Sequence, residues 1–119
     1  MKLNGKFYYC FSFCFLTDML FYIYILWSEK SEIYYVGFTS DVSKRLIQHN
    51  EMSEKSFTSK HRPWLLKAVF ACGESRSRAM EIEKFIKKQK RKTFIKQLLE
   101  QEEFYGILKP LVRVPPARD

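Results

Sequence analysis

Glycine and cysteine are both scarce in this chain, and their placement excludes several common kinds of site. The 4 glycines are widely scattered, so the sequence contains no glycine-rich phosphate-binding loop. The 3 cysteines, Cys10, Cys14 and Cys72, are an odd number with no histidine near the first pair. They therefore predict neither a zinc site, which needs closely spaced pairs of ligands, nor a disulfide framework. A reducing, cytoplasmic compartment is the simplest expectation.

Acidic residues are outnumbered, since 13 Asp and Glu stand against 21 Lys and Arg, which gives a net charge of +8 on 119 residues. That excess on one small domain favours a polyanionic partner, with nucleic acid ahead of an anionic membrane. The alternative is a merely basic protein with no such partner. The chain shows no internal repeat and no helix-turn-helix or zinc-finger pattern, so strong sequence specificity is not expected.

A long apolar run occurs near the N-terminus, at residues 7–16, behind two lysines. It resembles a signal-peptide core, but no small-residue cleavage site follows it. A transmembrane helix over residues 7–27 would place Asp18 in the middle of the span. We therefore interpret residues 1–18 as an appended extension, with the domain beginning at Met19 and no stable membrane insertion. Membrane association through this run remains the rival interpretation.

The rest of the chain predicts an α/β (α+β) domain at residues 19–104, with a three-stranded antiparallel sheet flanked by helices. Runs rich in aromatic and β-branched residues predict strands at residues 20–27, 32–38 and 64–71. Helices are expected from a cap at Thr39 or Ser40 to about Asn50, from near Ser75 to about Gln89, and from about Thr93 to Phe104. Residues 51–62 are expected to form a loop. Residues 105–119 are interpreted as a tail, with the proline-containing part from Lys109 in solvent.

Three polar side chains on these helices are candidates for chemistry. Arg45 and His49 are four residues apart, so they share one face of the first helix. Glu83 falls within the apolar stripe of the second helix, where a carboxylate is costly unless a cation or hydrogen-bond donors meet it. A structural ion pair with a lysine or arginine is the alternative explanation for Glu83.

The order of these residues resembles the GIY-YIG nuclease family over about residues 20–100. The first motif is Tyr22-Ile23-Tyr24 and the second is Tyr35-Val36-Gly37, followed by Arg45, His49 and Glu83. Tyr22 stands where the family name has glycine, and Phe38 stands where the excision-repair branch has a lysine. Ile95 lies near the place of an asparagine in some branches. These departures favour the small stand-alone branch over an excision-repair nuclease.

The resemblance implies hydrolysis of DNA phosphodiester bonds with one divalent cation, Mg²⁺ or Mn²⁺, held by Glu83. Arg45 would meet the non-bridging phosphate oxygens. Tyr24 or Tyr35 would act as the base, and His49 would orient that tyrosine or share its proton. Taken singly, each residue has an ordinary structural explanation; tyrosine, for example, is common in strands.

Basic side chains near these motifs are expected to position DNA through its phosphates without reading bases. They are Lys44, Lys60, Arg62, Lys87, Lys88, Lys90 and Arg91. Gly37 would allow close approach of a phosphate, or would form a bulge that ends the strand. DNA with a nick, flap or branch is the expected substrate, and no small-molecule cofactor is expected. The rival function is a nucleic-acid-binding module that kept the scaffold and lost catalysis.

Overall fold

An antiparallel sheet forms the centre of the computed structural model, which describes residues 20–52 and 57–114. Within those ranges the sheet has four strands in the order β2-β1-β3-β4. They are β1 (Phe21–Ser28), β2 (Ile33–Thr39), β3 (Trp64–Gly73) and β4 (Val112–Arg113). The α+β class with an antiparallel sheet is confirmed, but the sheet has one strand more than expected.

The central strand β1 is buried on both faces, because every second residue points to the same side of a sheet. Ile23 and Ile25 belong to the core on one side, while Tyr22, Tyr24 and Leu26 belong to a second cluster on the other side. The strand is therefore almost continuously apolar or aromatic. The two tyrosines of the first motif lie together on one face.

The first helix, α1 (Val42–Ile47), covers the tyrosine face of the sheet with Val42 and Leu46. Its N-cap is Asp41, one residue beyond the caps expected, and the Asp41 carboxylate accepts a hydrogen bond from the Lys44 N–H at 3.1 Å. The α-helix ends earlier than expected, and a π-helical segment, Gln48–Met52, continues from it. A 3₁₀ turn, Phe57–His61, occupies part of the expected loop.

Two further helices cover the opposite face of the sheet. They are α2 (Arg76–Gln89), which begins near Ser75 as expected, and α3 (Lys92–Glu100). The N-cap of α2 is Ser75, whose side chain accepts a hydrogen bond from the Arg78 N–H. Their buried residues are Ala79, Ile82, Ile86, Ile95 and Leu98, which join the isoleucines of β1 in the larger core. Helix α3 ends four residues before Phe104, whose ring packs against Phe70 at a centroid distance of 5.4 Å.

The part of the chain from Lys109 does not trail in solvent as expected, at least as far as residue 114. Leu108 and Leu111 are buried in the core, and β4 pairs with β3 through Phe70–Arg113 and Ala71–Val112. A strand of two residues is too short to show an alternating pattern, and the neighbouring prolines favoured a tail. Residues 115–119 lie outside the described part of the chain.

The expected N-terminal extension, residues 1–18, and with it Cys10 and Cys14, also lies outside the described residues. Across residues 20–52 and 57–114, no helix is long and apolar enough to cross a membrane.

Candidate active site

The two motif tyrosines meet because of the register between β1 and β2. Tyr24 lies opposite Gly37, and Leu26 lies opposite Tyr35, so the two tyrosines are diagonal neighbours. Their ring centroids are 6.3 Å apart. Tyr24 is fully buried, at 1% exposure, whereas Tyr35 is half-buried. The sheet thus places one phenol inside the protein and one at its surface.

Gly37 is explained by the ring of Tyr24, which lies directly over it. A Cβ at position 37 would overlap the hydroxyl and ring carbons of Tyr24. The β1–β2 register continues without a shift through this position, so the expected bulge at Gly37 is wrong. The shifts occur instead between β1 and β3, at Phe21/Tyr22 and Ile25/Leu26. The missing side chain makes room for the tyrosine.

The π-helical segment turns the imidazole of His49 inward onto both tyrosines. Its Nε2 lies 2.8 Å from the Tyr24 hydroxyl in a buried hydrogen bond. The ring also packs edge-on against Tyr35, at a centroid distance of 4.9 Å. His49 is only 7% exposed.

Burial keeps both members of the Tyr24–His49 pair neutral at neutral pH. It lowers the pKa of His49 to about 4, and the positive charges of Arg45, Arg62 and Lys87 act in the same direction. Burial also raises the pKa of Tyr24 well above its usual value, although Arg45 partly opposes this through a hydrogen bond and its charge. The imidazole is therefore unprotonated at neutral pH, and in the tautomer that carries its proton on Nδ1 the Nε2 atom accepts a hydrogen bond from the Tyr24 hydroxyl.

Arg45 lies on α1 at the edge of this cluster and is exposed to solvent. Its Nη1 donates a hydrogen bond to the Gln48 side-chain carbonyl at 3.2 Å. A guanidinium has several further N–H donors in a rigid plane, which suits it to bind phosphate oxygens.

Glu83 approaches the site from α2, and its negative charge acts on Tyr24. Its side chain is 18% exposed, and its Oε2 lies 3.6 Å from the Nζ of Lys87 one turn later. The same ammonium lies 5.1 Å from the centroid of the Tyr35 ring. The carboxylate on the apolar stripe therefore does meet a cation, as its burial requires.

A divalent metal at this place would have one protein carboxylate. Among the described residues no group of three or more His, Cys, Asp and Glu side chains could hold a metal ion together. Mg²⁺ fits such a site, because it keeps several waters and binds through few carboxylates together with substrate phosphate. That Glu83 and Tyr35 already hold an ammonium between them shows that the position suits a cation.

Residues 20–97 match the family model described as the GIY-YIG catalytic domain. The chain belongs to the GIY-YIG family. The matched range agrees with the resemblance found in the sequence, and it contains both tyrosine motifs, Arg45, His49 and Glu83. GIY-YIG domains are nuclease domains that typically depend on a divalent metal and act on nucleic acid.

Two curated relatives resemble this GIY-YIG chain over most of their own length. The UPF0213 protein in the ldhD 5' region of Pediococcus acidilactici is 35% identical over 80 residues, which cover 66% of this chain and 80% of the relative. A UPF0213 protein of Fusobacterium nucleatum is 37% identical over 76 residues, or 60% of this chain and 74% of the relative. Both names describe an uncharacterised family.

The basic residues predicted to contact DNA occupy three places around the GIY-YIG site. Lys44 and Lys60 are exposed on α1 and on the 3₁₀ turn. Arg62 donates a hydrogen bond from its Nε to the carbonyl of His49 at 2.7 Å, so it also supports the π-helical segment. The remaining four, Lys87, Lys88, Lys90 and Arg91, lie at or after the end of α2, with Lys87 directed at Glu83.

The sequence did not predict the contacts of Asn50 and Trp64, which hold the segment that carries His49. Asn50 clamps the backbone of Trp64, accepting from its N–H at 2.7 Å and donating to its carbonyl at 3.2 Å. The buried Trp64 ring in turn packs against Tyr35, at a centroid distance of 5.9 Å. An asparagine directly after a candidate histidine was the available signal, but its partner is distant in sequence.

Proposed function

We propose that this GIY-YIG domain is a metal-dependent DNA endonuclease that recognises DNA structure more than DNA sequence. The observation that supports this most strongly is the buried hydrogen bond between Tyr24 and His49, next to Tyr35. A neutral imidazole beside a phenol, with an arginine and a carboxylate within reach, provides the proton acceptor and the charges that phosphodiester hydrolysis needs.

The charged residues would have different roles at the scissile phosphate. Glu83 would hold Mg²⁺ or Mn²⁺, which when bound polarises the phosphate and stabilises the leaving oxygen. The exposed guanidinium of Arg45 would bind non-bridging oxygens as negative charge builds on them. Lys87 would leave Glu83 when the metal binds, and its ammonium would then be available to the DNA backbone.

The neutral pair would receive the proton of the attacking water. Tyr24 would accept that proton on its oxygen while passing its own hydroxyl proton to Nε2 of His49. At neutral pH His49 is unprotonated, so in the tautomer that carries its proton on Nδ1 the Nε2 atom is free to receive a proton. Burial disfavours the imidazolium that forms, and the negative charge that builds on the scissile phosphate would offset this cost. Tyr24 need not ionise beforehand. Tyr35, which contacts the same imidazole and is more exposed, remains the other candidate for the base.

The basic residues around the site would bind the phosphates of the substrate. Lys44, Lys60, Arg62, Lys88, Lys90 and Arg91 would position the duplex, as phosphate contacts do, without reading its sequence. A nick, flap or branch offers distorted backbone that such contacts can distinguish. The packing of Tyr24 accounts for Gly37 without a phosphate contact.

DNA cleavage by a Glu83→Gln variant tests whether the protein is a nuclease and whether Glu83 holds its metal ion. A panel of nicked, flapped, branched and linear duplex DNA is incubated with Mg²⁺ or Mn²⁺ under single-turnover conditions. We expect the wild type to cut the distorted DNAs preferentially and Glu83→Gln to lose cutting by at least about a hundredfold. Glu81→Gln is the matched control, because Glu81 lies on the same helix but is exposed and faces Arg78.

Each alternative result has a definite meaning. Cutting that survives in Glu83→Gln would show that the metal is held elsewhere. Equal rates on linear and branched DNA would refute structure selectivity.

A binding module without catalysis is the second candidate, and the Glu83–Lys87 ion pair favours it. Because Glu83 is paired with Lys87 on the same helix, its partial burial has a structural explanation that needs no metal. This function predicts salt-sensitive DNA binding by the wild type, no cleavage with either metal, and the same affinity in Glu83→Gln.

A further inference from the structure

An open cavity of about 270 Å³ lies between the edge strand β2 and the junction of α2 and α3. The size is close to the lower limit of about 300 Å³ for small-molecule sites, so it suits one base or one nucleotide and not a duplex. Nothing in the proposed function accounts for it.

The floor of the cavity is apolar. Ile33 and Val36 of β2, Ile86 of α2 and Ile95 of α3 line it. Three of these four side chains belong to the buried core, so the floor is a fixed part of the fold. A flat, largely uncharged ring is the kind of group that such a floor accepts.

The rim of the cavity is strongly basic. Four cations line it, Lys87, Lys90, Arg91 and Lys92, and no acidic residue does. Lys90 is the C-cap of α2 and has a backbone φ of +53, in the left-handed region that glycine adopts more easily than other residues. A cationic side chain is thus present where the backbone alone favours glycine. Together with the apolar floor, this rim fits a ligand with a flat ring and a phosphate.

One lining residue, Tyr34, belongs to an aromatic pair. Its ring packs against Trp27 at a centroid distance of 4.6 Å, while the ammonium of Lys92 lies 5.9 Å from the Trp27 ring. Aromatic faces beside cations are a usual platform for unpaired bases, because every base can stack on an aromatic ring.

The cavity adjoins the candidate active site through two shared residues. Tyr35 lines it and also packs against His49, and Lys87 lines it and also contacts Glu83. A nucleotide in the cavity would therefore be within a short length of backbone from the scissile phosphate.

We propose that this cavity binds one unpaired nucleotide of the DNA strand beside the cut. Its base lies on the apolar floor and Tyr34, and its phosphate lies among the four cations. This inference rests on the proposed nuclease function and makes it more specific, because it names the distortion that is recognised. DNA with an unpaired nucleotide next to the scissile bond, as in a flap or gap, is the preferred substrate.

Binding is tested by methyl NMR of isoleucine-labelled protein, without metal, titrated with thymidine 5'-monophosphate. Ile33, Ile86 and Ile95 line the cavity, whereas Ile23 and Ile25 do not and serve as internal controls. We expect the three cavity methyl groups to shift and the two controls to stay in place. Inorganic phosphate at the same concentration should shift them much less. No shift, or an equal shift with inorganic phosphate, would overturn the proposal.

Variants separate binding from folding. Lys90→Gly and Tyr34→Ala should each weaken thymidine 5'-monophosphate binding by about tenfold, the loss expected for one charged or stacking contact. Lys90→Gly should keep or raise the thermal midpoint, because glycine adopts positive φ without strain. Lys96→Ala on α3, exposed and outside the cavity, should bind as the wild type does. Unchanged binding in both test variants would refute the assignment.

Cleavage assays then distinguish failure of this inference from failure of the nuclease function. On a flap, an abasic site in place of the unpaired nucleotide should reduce cutting by about tenfold, through the loss of stacking. Equal cutting of the abasic flap would refute the cavity's role while leaving the nuclease intact. Nucleotide binding in a protein that cuts no DNA would refute the nuclease while supporting the cavity as a nucleotide site.

Discussion

The Tyr24 hydroxyl and the His49 imidazole meet at 2.8 Å inside the protein, where ionisation of either group is unfavourable. In the unfolded chain, His49 has its ordinary pKa of about 6.5, while in the folded protein its pKa is about 4. Between these values the unfolded chain binds more protons than the folded one. The contribution of the neutral His49 to stability is therefore fully present above the unfolded pKa and is lost as the pH falls toward the folded pKa.

We predict that protonation of His49 in the unfolded chain lowers the free energy of unfolding by about 2 kcal/mol as the pH falls from about 7 to 5. Urea unfolding at both pH values measures it, with His49→Gln as the comparison. The variant should lose most of this pH dependence, because glutamine does not titrate. A wild-type stability that is flat over this range would show that His49 is not held neutral by burial.

Gly37 and Tyr24 are a second coupled pair, because the Tyr24 ring occupies the space that a side chain at position 37 would need. We predict that Gly37→Ala lowers the free energy of unfolding by about 1–3 kcal/mol, since its methyl group would overlap the Tyr24 ring. Thermal and urea unfolding measure this loss. In a Tyr24→Phe background the same change should cost less, because the nearest overlapping atom, the hydroxyl oxygen, is gone. Equal costs in both backgrounds would contradict the close approach.

At the scale of elements, the π-helical segment Gln48–Met52 decides where His49 points. It is held from outside by Asn50, whose side chain bonds both backbone groups of Trp64 at the start of β3. These two hydrogen bonds tie the segment to β3, while the Tyr24–His49 hydrogen bond ties it to β1.

We predict that Asn50→Ala lowers the unfolding free energy by about 1–3 kcal/mol and returns the pKa of His49 toward its usual value. The first effect follows from the lost hydrogen bonds, and the second from admission of water to the imidazole. Chemical denaturation and an NMR titration of the His49 ring measure them. Glu51→Ala, at an exposed neighbouring position, should change neither quantity. A normal His49 titration in Asn50→Ala would show that the clamp does not position the ring.

Most elements were predictable from the sequence because their signals are local. Strand β1, from Phe21 to Ser28, was expected one residue earlier, and α2 was expected to begin near Ser75, which is its N-cap. These features depend on side chains that are close together in the chain. The antiparallel pairing of β1 and β2 follows from the short turn between them.

The parts that could not be predicted depend on distant contacts. A π-helical turn differs from an α-helical one by a single residue in its hydrogen bonding, and its anchor at Trp64 lies beyond a loop. Strand β4 is too short to have a pattern of its own. The ion pair of Glu83 is a local contact, and a lysine or arginine partner was among the sequence-based alternatives, although Lys87 was not named as that partner.

At the scale of the whole molecule, the net charge of +8 should dominate DNA affinity through counterion release. We predict that the logarithm of the binding constant falls linearly with the logarithm of the salt concentration. Lys88→Ala should reduce the slope by about 1, the change expected for one lost phosphate contact. Fluorescence anisotropy with a fluorescent duplex measures it. Lys109→Ala, an exposed lysine after α3, is the control and should leave the slope unchanged; a slope equal in both variants would remove Lys88 from the interface.

Strand β1 gives one face to the tyrosines and the other to Ile23 and Ile25. A slip of this strand by a single residue would exchange the two sets, placing phenols in the core and isoleucines beneath His49. A slip by one residue therefore cannot keep the interior of the sheet while moving the tyrosines from their place. Pairing of β1 in this register therefore buries the isoleucines and assembles the candidate site in the same step of folding.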